Sequence, residues 1–216
     1  MTGGWTEAEL KYRAVGEGPL HILTAASTLG PAKLGKAKTV DEVDRYLDTA
    51  DLRLAAVHWA CRLRSREGRT LVSLKGPAAH VAGATLHLRP ELEGPATPEY
   101  DPAGWPRSAA RARLLAMAGG EPLVERLTLA QRRTEREVCQ ARLTTGLLSL
   151  DRVRVLRGGT EIGRLLTVEL ELDPVALAGG LDPRPLATAL EAIDGLQPDP
   201  LTKLEHALEM AMRARP

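Results

Sequence analysis

Glu7 and Glu9 stand two residues apart in the run Glu7-Ala8-Glu9-Leu10-Lys11-Tyr12-Arg13, and Glu169 and Glu171 repeat that spacing far along the chain. On an extended strand, residues at i and i+2 project from one face, so each pair sets two carboxylates side by side. Hard divalent ions such as Mg²⁺ and Mn²⁺ take such oxygens, commonly together with the phosphate oxygens of a substrate. Arg62 and Arg64 share the same spacing, while Lys75 and Arg89 fall on the polar faces of neighbouring segments. A guanidinium fork matches phosphate oxygens in pairs, and a lysine adds a point charge. Metal-assisted chemistry on a polyanion is therefore within reach of these residue types.

Strands must position them. The alternation predicts a first strand over Trp5–Ala14, then a short helix from Pro19 to about Leu29 and a basic loop from Gly30 to Lys38. A second strand ends in Tyr46-Leu47-Asp48-Thr49, followed by a helical turn over 51–56 with Asp51 as its N-cap. His58–Ser65 and Arg69–Gly76 form a hairpin about Arg66-Glu67-Gly68, and a fifth strand spans Ala84–Glu93. Four prolines make Gly94–Pro106 an irregular loop, after which Ser108 caps a helix that stops at Gly119-Gly120. Three further strands follow, at Leu127–Arg142, Thr145–Leu156 and Gly163–Leu172. Helices over Pro183–Ala192 and Pro200–Ala214 finish the chain. In the last, Leu201, Leu204, Leu208 and Met212 form one apolar stripe for docking.

In strand after strand, one face is charged and the other apolar. Arg62 and Arg64 oppose Cys61 and Leu63; Arg89, Glu91 and Glu93 oppose Leu88 and Leu92; Thr167, Glu169 and Glu171 oppose Val168 and Leu170. An open sheet would turn the charged face to water. Eight strands closed into a barrel allow the reverse, with charges lining a lumen and helices covering the apolar outside. Solvent faces usually mix Thr, Ser, Gln and Lys, whereas here Glu and Arg cluster, which favours the lumen.

The chain has 216 residues and a formal net charge of +1, so no global field recruits nucleic acid or a membrane, and placement of charge must do the work. Aromatics make up 3% and Phe is absent, which argues against a base-stacking platform. Two isolated cysteines, Cys61 and Cys139, suggest neither a disulfide framework nor a zinc site. With no signal segment or membrane-length apolar run in view, the expected location is the cytoplasm. The five histidines show no ligand spacing and read as structural, and no Walker-type glycine loop is present. Oligomeric state leaves no mark in the sequence.

The E-x-E-x-K run at Glu7–Lys11 resembles the opening motif of the CYTH superfamily, the triphosphate tunnel metalloenzymes. The later segments Tyr46-Leu47-Asp48-Thr49, Arg62-Leu63-Arg64, Ser73-Leu74-Lys75-Gly76, Arg89-Pro90-Glu91-Leu92-Glu93, Glu169-Leu170-Glu171 and Thr202-Lys203 are similar to the same family in order. The resemblance implies an α+β fold in one domain over residues 1–216. Its core would be an eight-stranded antiparallel β-barrel forming a charged tunnel, with helices packed outside and a C-terminal helix closing one end. It implies hydrolysis of a small triphosphate, foremost inorganic tripolyphosphate, with two Mg²⁺ or Mn²⁺ ions. Class IV adenylate cyclase, thiamine triphosphatase and a non-catalytic polyphosphate or nucleotide binder are the alternatives.

By the same resemblance, Glu7, Glu9, Glu93, Asp151, Glu169 and Glu171 hold metal. Lys11, Arg13, Arg62, Arg64, Lys75, Arg89, Arg133 and Lys203 grip substrate, with Lys11, Arg62, Arg64, Lys75, Glu91 and Arg133 serving catalysis. Arg132 would replace Arg133 if the register slipped by one. Eight cations against seven anions, plus two divalent ions, would leave about +5, near the charge of a fully ionised triphosphate. Three departures stand out: Thr167 replaces a common Glu, residues 131–136 align loosely, and the fused helical companion domain of some relatives is missing.

Overall fold

The computed structural model describes residues 5–77, 79–80 and 86–214. Its elements in order are β1 (Trp5–Ala14), α1 (Glu17–Ala25), β2 (Thr28–Leu29), β3 (Ala32–Leu34), β4 (Lys38–Thr49), α2 (Arg53–Ala56), β5 (Ala60–Arg66), β6 (Arg69–Lys75), β7 (Ala79–His80) and β8 (Leu86–Pro95). There follow α3 (Ala109–Ala118), β9 (Leu123–Gln140), β10 (Leu143–Arg157), β11 (Thr160–Leu172), α4 (Pro174–Ala178), α5 (Arg184–Glu191), β12 (Leu196–Pro198) and α6 (Lys203–Arg213). Eight strands run in the antiparallel order β10-β11-β1-β8-β6-β5-β4-β9, and pairing of β9 with β10 closes them into a barrel. The expected start of the fifth strand at Ala84 lies outside the described residues.

Closure gives each strand an inside and an outside, and the apolar residues divide accordingly. Outward-facing Ala8, Leu10, Leu148, Leu150, Val168 and Leu170 pack under Leu20 and Leu23 of α1 and Leu186 and Leu190 of α5. On the opposite flank, Cys61, Leu63, Val72 and Leu74 pack under Leu54 of α2 and Ala110, Leu114 and Ala118 of α3. A third cluster is internal: Leu127, Leu129, Val153, Val155 and Leu165 fill one end of the barrel and meet Ala207 and Ala211 of α6. The helices thus cover the outside, and α6 closes the apolar end.

Local chemistry moves several elements from where the alternation put them. The first helix ends at Ala25 rather than Leu29, and the basic loop is partly a small hairpin, β2–β3, which turns at Gly30 (φ +52°) and pairs with β9 through Lys33 and Leu34. Arg136 of β9 fixes that arrangement. Its buried guanidinium donates to the carbonyls of Leu23, Thr24, Ala26, Leu34 and Gly35, at 2.6–3.3 Å, and so satisfies the acceptors a helix end leaves open. Asp51 does not cap α2. It is exposed and bonds Arg53, while the buried Asp48 carboxylate accepts from the N–H groups of Leu54 and Ala55. Leu52 makes the bend at φ +63°. Ser108 and Gly119 cap α3 as expected.

The stripe on the last helix is also corrected. Leu204 of that stripe docks, but Leu208 is 42% and Met212 63% exposed, and Ala207 and Ala211 complete the docked face. A Thr202–Glu205 capping box starts α6, Lys203 points into the lumen, and the docked face lies about one residue from the one that hydrophobicity alone selects.

Arg136 generates a stability prediction. Arg136→Met keeps the apolar stem but strips five carbonyls of their donor, those of Leu23 and Leu34 buried, so unfolding free energy should fall by about 3 kcal/mol. Urea denaturation measures it; a loss below about 1 kcal/mol would mean that water reaches those carbonyls.

Candidate active site

The inward residues of the eight strands enclose a cavity of about 1100 Å³. β1 contributes Glu7, Glu9 and Lys11; β5 contributes Arg62, Arg64 and Arg66; β6 and β8 contribute Lys75, Arg89, Glu91 and Glu93; β9 contributes Arg133 and β11 contributes Glu169 and Glu171. Lys203 enters from the first turn of α6. The charged faces point inward, against the habit of an open sheet. Arg133 is buried and Arg132 exposed, which fixes the register in that strand.

Arg13 is not part of this site. It is exposed and lines a separate cavity of about 650 Å³ with Arg164, Pro198 and Arg213. Period two places it on the face of Lys11, but at that level Leu165 and the segment leading into α6 already close the barrel. Asp151 is fully buried on the inward face of β10, beneath the lining, where it holds Arg133 (2.7 and 2.8 Å) and Lys203 (2.6 Å). Arg64 is clamped by Asp44 through two bonds of 2.7 Å, with Glu42 at 3.0 Å, so its guanidinium is largely committed within the protein.

The remaining charges form a continuous network. Glu7 takes Lys75 Nζ at 2.7 Å and Arg89 Nε at 2.6 Å; Arg89 also reaches Glu9 at 3.2 Å, and Lys75 reaches Glu91 at 3.2 Å. Glu169 takes Lys203 at 2.6 Å and Arg133 at 3.4 Å. Lys11 donates to the carbonyl of Leu201 at 3.3 Å. Glu93 accepts from Ser73 at 2.6 Å. Arg62 bonds Ser73 at 3.1 Å and stands 3.7–3.9 Å from Asp44, Glu91 and Glu93, with its buried Nε making no hydrogen bond.

Titration follows from these partners. Burial raises Glu7, but Lys75 and Arg89 outweigh it and hold the carboxyl well below its ordinary range. Asp151 behaves likewise beneath Arg133 and Lys203, and Asp44 beneath Arg62 and Arg64. Glu9 goes the other way: burial, then the charges of Glu169 and Glu7, push it up to about 7. Glu171 is raised by desolvation and by Glu7. Burial lowers the Lys11 ammonium, whereas Lys203, although buried, is raised by Asp151 and Glu169.

Five polar residues of this network were not singled out from sequence. Glu42 and Asp44 are buried on β4, Gln131 bonds both of them, and Arg66 forms a two-bond pair with Glu135 at 2.5 and 2.6 Å. The alternation Glu42, Asp44, Tyr46 was a readable signal. Three added carboxylates, against Arg66 gained and Arg13 lost, turn the lining from net positive to net acidic. The expected match to triphosphate charge is corrected accordingly.

Among the described residues no three potential ligands stand together in coordinating geometry, since Glu7 and Glu169 are drawn onto their cations. The donor set nonetheless fits a hard cation. Glu7, Glu9 and Glu169 crowd one another enough to raise Glu9, and a divalent ion relieves that repulsion. Thr167, where a further Glu was expected, is buried opposite Asp151, and its hydroxyl makes no hydrogen bond.

Residues 6–176 match the CYTH domain, and the chain belongs to that family. The curated proteins give no match. Among solved structures, HpAC1 from Hippeastrum, described as a candidate adenylyl cyclase that reveals a dominant triphosphatase activity, aligns with a TM-score of 0.63 at 20% identity, covering 94% of this chain and 95% of its own. A candidate adenylate cyclase from Bacillus halodurans aligns with a TM-score of 0.57 at 20% identity, over 93% of this chain and 97% of its own. PH1819 from Pyrococcus horikoshii gives 0.53 at 14% identity, over 95% and 99%. No helix of the described residues is long and apolar enough to cross a membrane.

The raised Glu9 yields a pH prediction. A carboxyl near 7 in the folded state and near 4.5 unfolded binds more protons when folded, so its stability contribution declines as pH rises from 4.5 to 7. In chelator-treated protein, Glu9→Gln should therefore stabilise the fold by on the order of 2 kcal/mol at pH 8 and by little at pH 4.5. Denaturation at both pH values tests this, and a variant less stable than the parent at pH 8 would refute it.

Proposed function

We propose that this chain hydrolyses a phosphoanhydride bond of a small triphosphate, with inorganic tripolyphosphate the best fit and two Mg²⁺ or Mn²⁺ ions as cofactors. The observation that carries the reading is the convergence of Lys11, Arg62, Lys75, Arg89, Arg133 and Lys203, from five strands and a helix, on one enclosed lumen. Buried cations in such number are costly unless a counter-charge meets them. Here the counter-charges are carboxylates that suit metal. Phosphate oxygens arriving at Lys75 and Arg89 would take over those cations and release Glu7 and Glu9 to a metal ion. The Hippeastrum neighbour, with its described triphosphatase activity, is in keeping with this reading.

In this reading Glu7, Glu9, Glu169 and Glu171 hold metal, with Glu93 at one end of the lumen, and the ions supply charge neutralisation on phosphate oxygens. Arg62, Lys75 and Arg89 grip the phosphate chain, and Arg133 and Lys203 fix its far end. Asp151 and Asp44 aim Arg133 and Arg64. Glu91 orients Lys75 and Arg62. Positioning with charge stabilisation is the main protein contribution to phosphoryl transfer. A cyclase would also need a seat for adenine. Trp59 lines the lumen, but the guanidinium of Arg113 already covers its ring at 5.2 Å, which favours the all-phosphate substrate.

A phosphate-release panel of tripolyphosphate, ATP, thiamine triphosphate and pyrophosphate tests the reading. Tripolyphosphate should be cleaved at least roughly tenfold more efficiently than ATP, about 1.4 kcal/mol in transition-state stabilisation, and chelator should abolish turnover. Cyclic AMP with pyrophosphate from ATP would overturn the hydrolase assignment, and a melting shift without turnover would point to a binder. Arg62→Ala should lower kcat/KM for tripolyphosphate by about 100-fold, acting on both kcat and KM. Parent-like kinetics would remove Arg62 from the site.

A further inference from the structure

Lys203 belongs to the lumen, so the seating of the helix that carries it decides where its ammonium lies. α6 docks mainly through Leu204, Ala207 and Ala211, and Met210 lies over Gly163, where a side chain would collide with it. The two alanines present little relief to the apolar plug, so apolar interlocking of α6 rests on Leu204 and on Met210 over Gly163. The Nζ of a helical lysine lies roughly 8 Å from its axis, so a turn of about 20° would move it by nearly 3 Å. Contacts of 2.6 Å to Asp151 and Glu169 do not survive that displacement.

A buried polar contact independent of the Lys203 ion pairs also keys the helix. His206 Nε2 lies 2.7 Å from Asp199 Oδ2, with both residues buried, and because the carboxylate accepts, that nitrogen carries the proton. Asp199 is itself fixed: its N–H donates to the carbonyl of Lys11 at 2.9 Å, and its Oδ1 accepts from the N–H of Leu201 at 3.1 Å. The carbonyl of Leu201 in turn receives the ammonium of Lys11. A single aspartate therefore ties β1, the turn before α6 and the helix itself to the backbone of a lumen residue. His206 sits one turn beyond Lys203.

We propose that His206, through Asp199, is a positioning residue that sets the depth and rotation of α6 and so places the Lys203 ammonium on the substrate; this rests on the triphosphate reading above. Misplacement by an ångström or more in a preorganised site costs roughly 10- to 100-fold in rate. His206→Ala should therefore lower kcat/KM for tripolyphosphate by that factor, and His206→Gln, which can still donate to Asp199, should recover most of it.

The deciding measurement is a double-mutant cycle with Lys203→Ala. If His206 acts through Lys203, adding His206→Ala to Lys203→Ala changes kcat/KM by less than about twofold. If the losses multiply, or if His206→Ala alone is parent-like, the proposal fails. The same cycle is read from the melting-temperature shift that tripolyphosphate induces, which needs no turnover. A parent that binds tripolyphosphate without cleaving it would thus sink the hydrolase reading and leave the positioning claim to the binding cycle. Should His206→Ala not fold, Asp199→Asn takes its place in both backgrounds, with the same outcomes.

Discussion

Closing a sheet turns one face of every strand inward, and this barrel turns its charged face there, burying Glu7, Glu9, Lys75, Glu91 and Arg133. Each buried carboxylate or guanidinium has lost hydration worth several kcal/mol, which only close opposite charge can offset. The pairing is accordingly dense, from Arg66–Glu135 at one level through Arg64–Asp44 and Lys75–Glu7 to Lys203–Asp151 near the closed end. The rest of the architecture follows from that constraint. Because polar residues fill the inside, the apolar residues of the same strands must face out, and helices have to cover them.

The network is uneven, and the unevenness separates frame from site. Asp44 and Asp151 are held far below their ordinary range by arginines, or an arginine and a lysine, that they contact directly; these are fixed struts. Glu9 and Glu171 are pushed up instead, which marks a region where negative charge exceeds what the protein neutralises. Arg62 keeps an unbonded Nε nearby. That excess of negative charge sets these carboxylates apart from the struts.

Much of this was legible from sequence. The pairs Glu7/Glu9, Arg62/Arg64 and Glu169/Glu171, read with the ordered motifs, pointed to the barrel and most of its lining. Arg13 misled because period two carries a face along a strand but not past the point where a barrel closes. Glu42 and Asp44 escaped notice because their strand was read from its Tyr46–Thr49 end. The stripe on α6 was drawn from hydrophobicity alone, whereas the docked face carries two alanines beside a lysine that points into the lumen.

What the sequence by itself determined is which side chains share a face, where Ser108 and Gly119 begin and end a helix, and that acid and base alternate along the strands. These depend on neighbours a few residues away, whose geometry the backbone fixes. Only the tertiary structure decided which face turns inward and which charges meet. Glu7 finds Lys75 and Arg89, and Asp151 finds Lys203, across a closed space and from distant parts of the chain. Local periodicity cannot encode those partners, because closure and the seating of α6 bring them together.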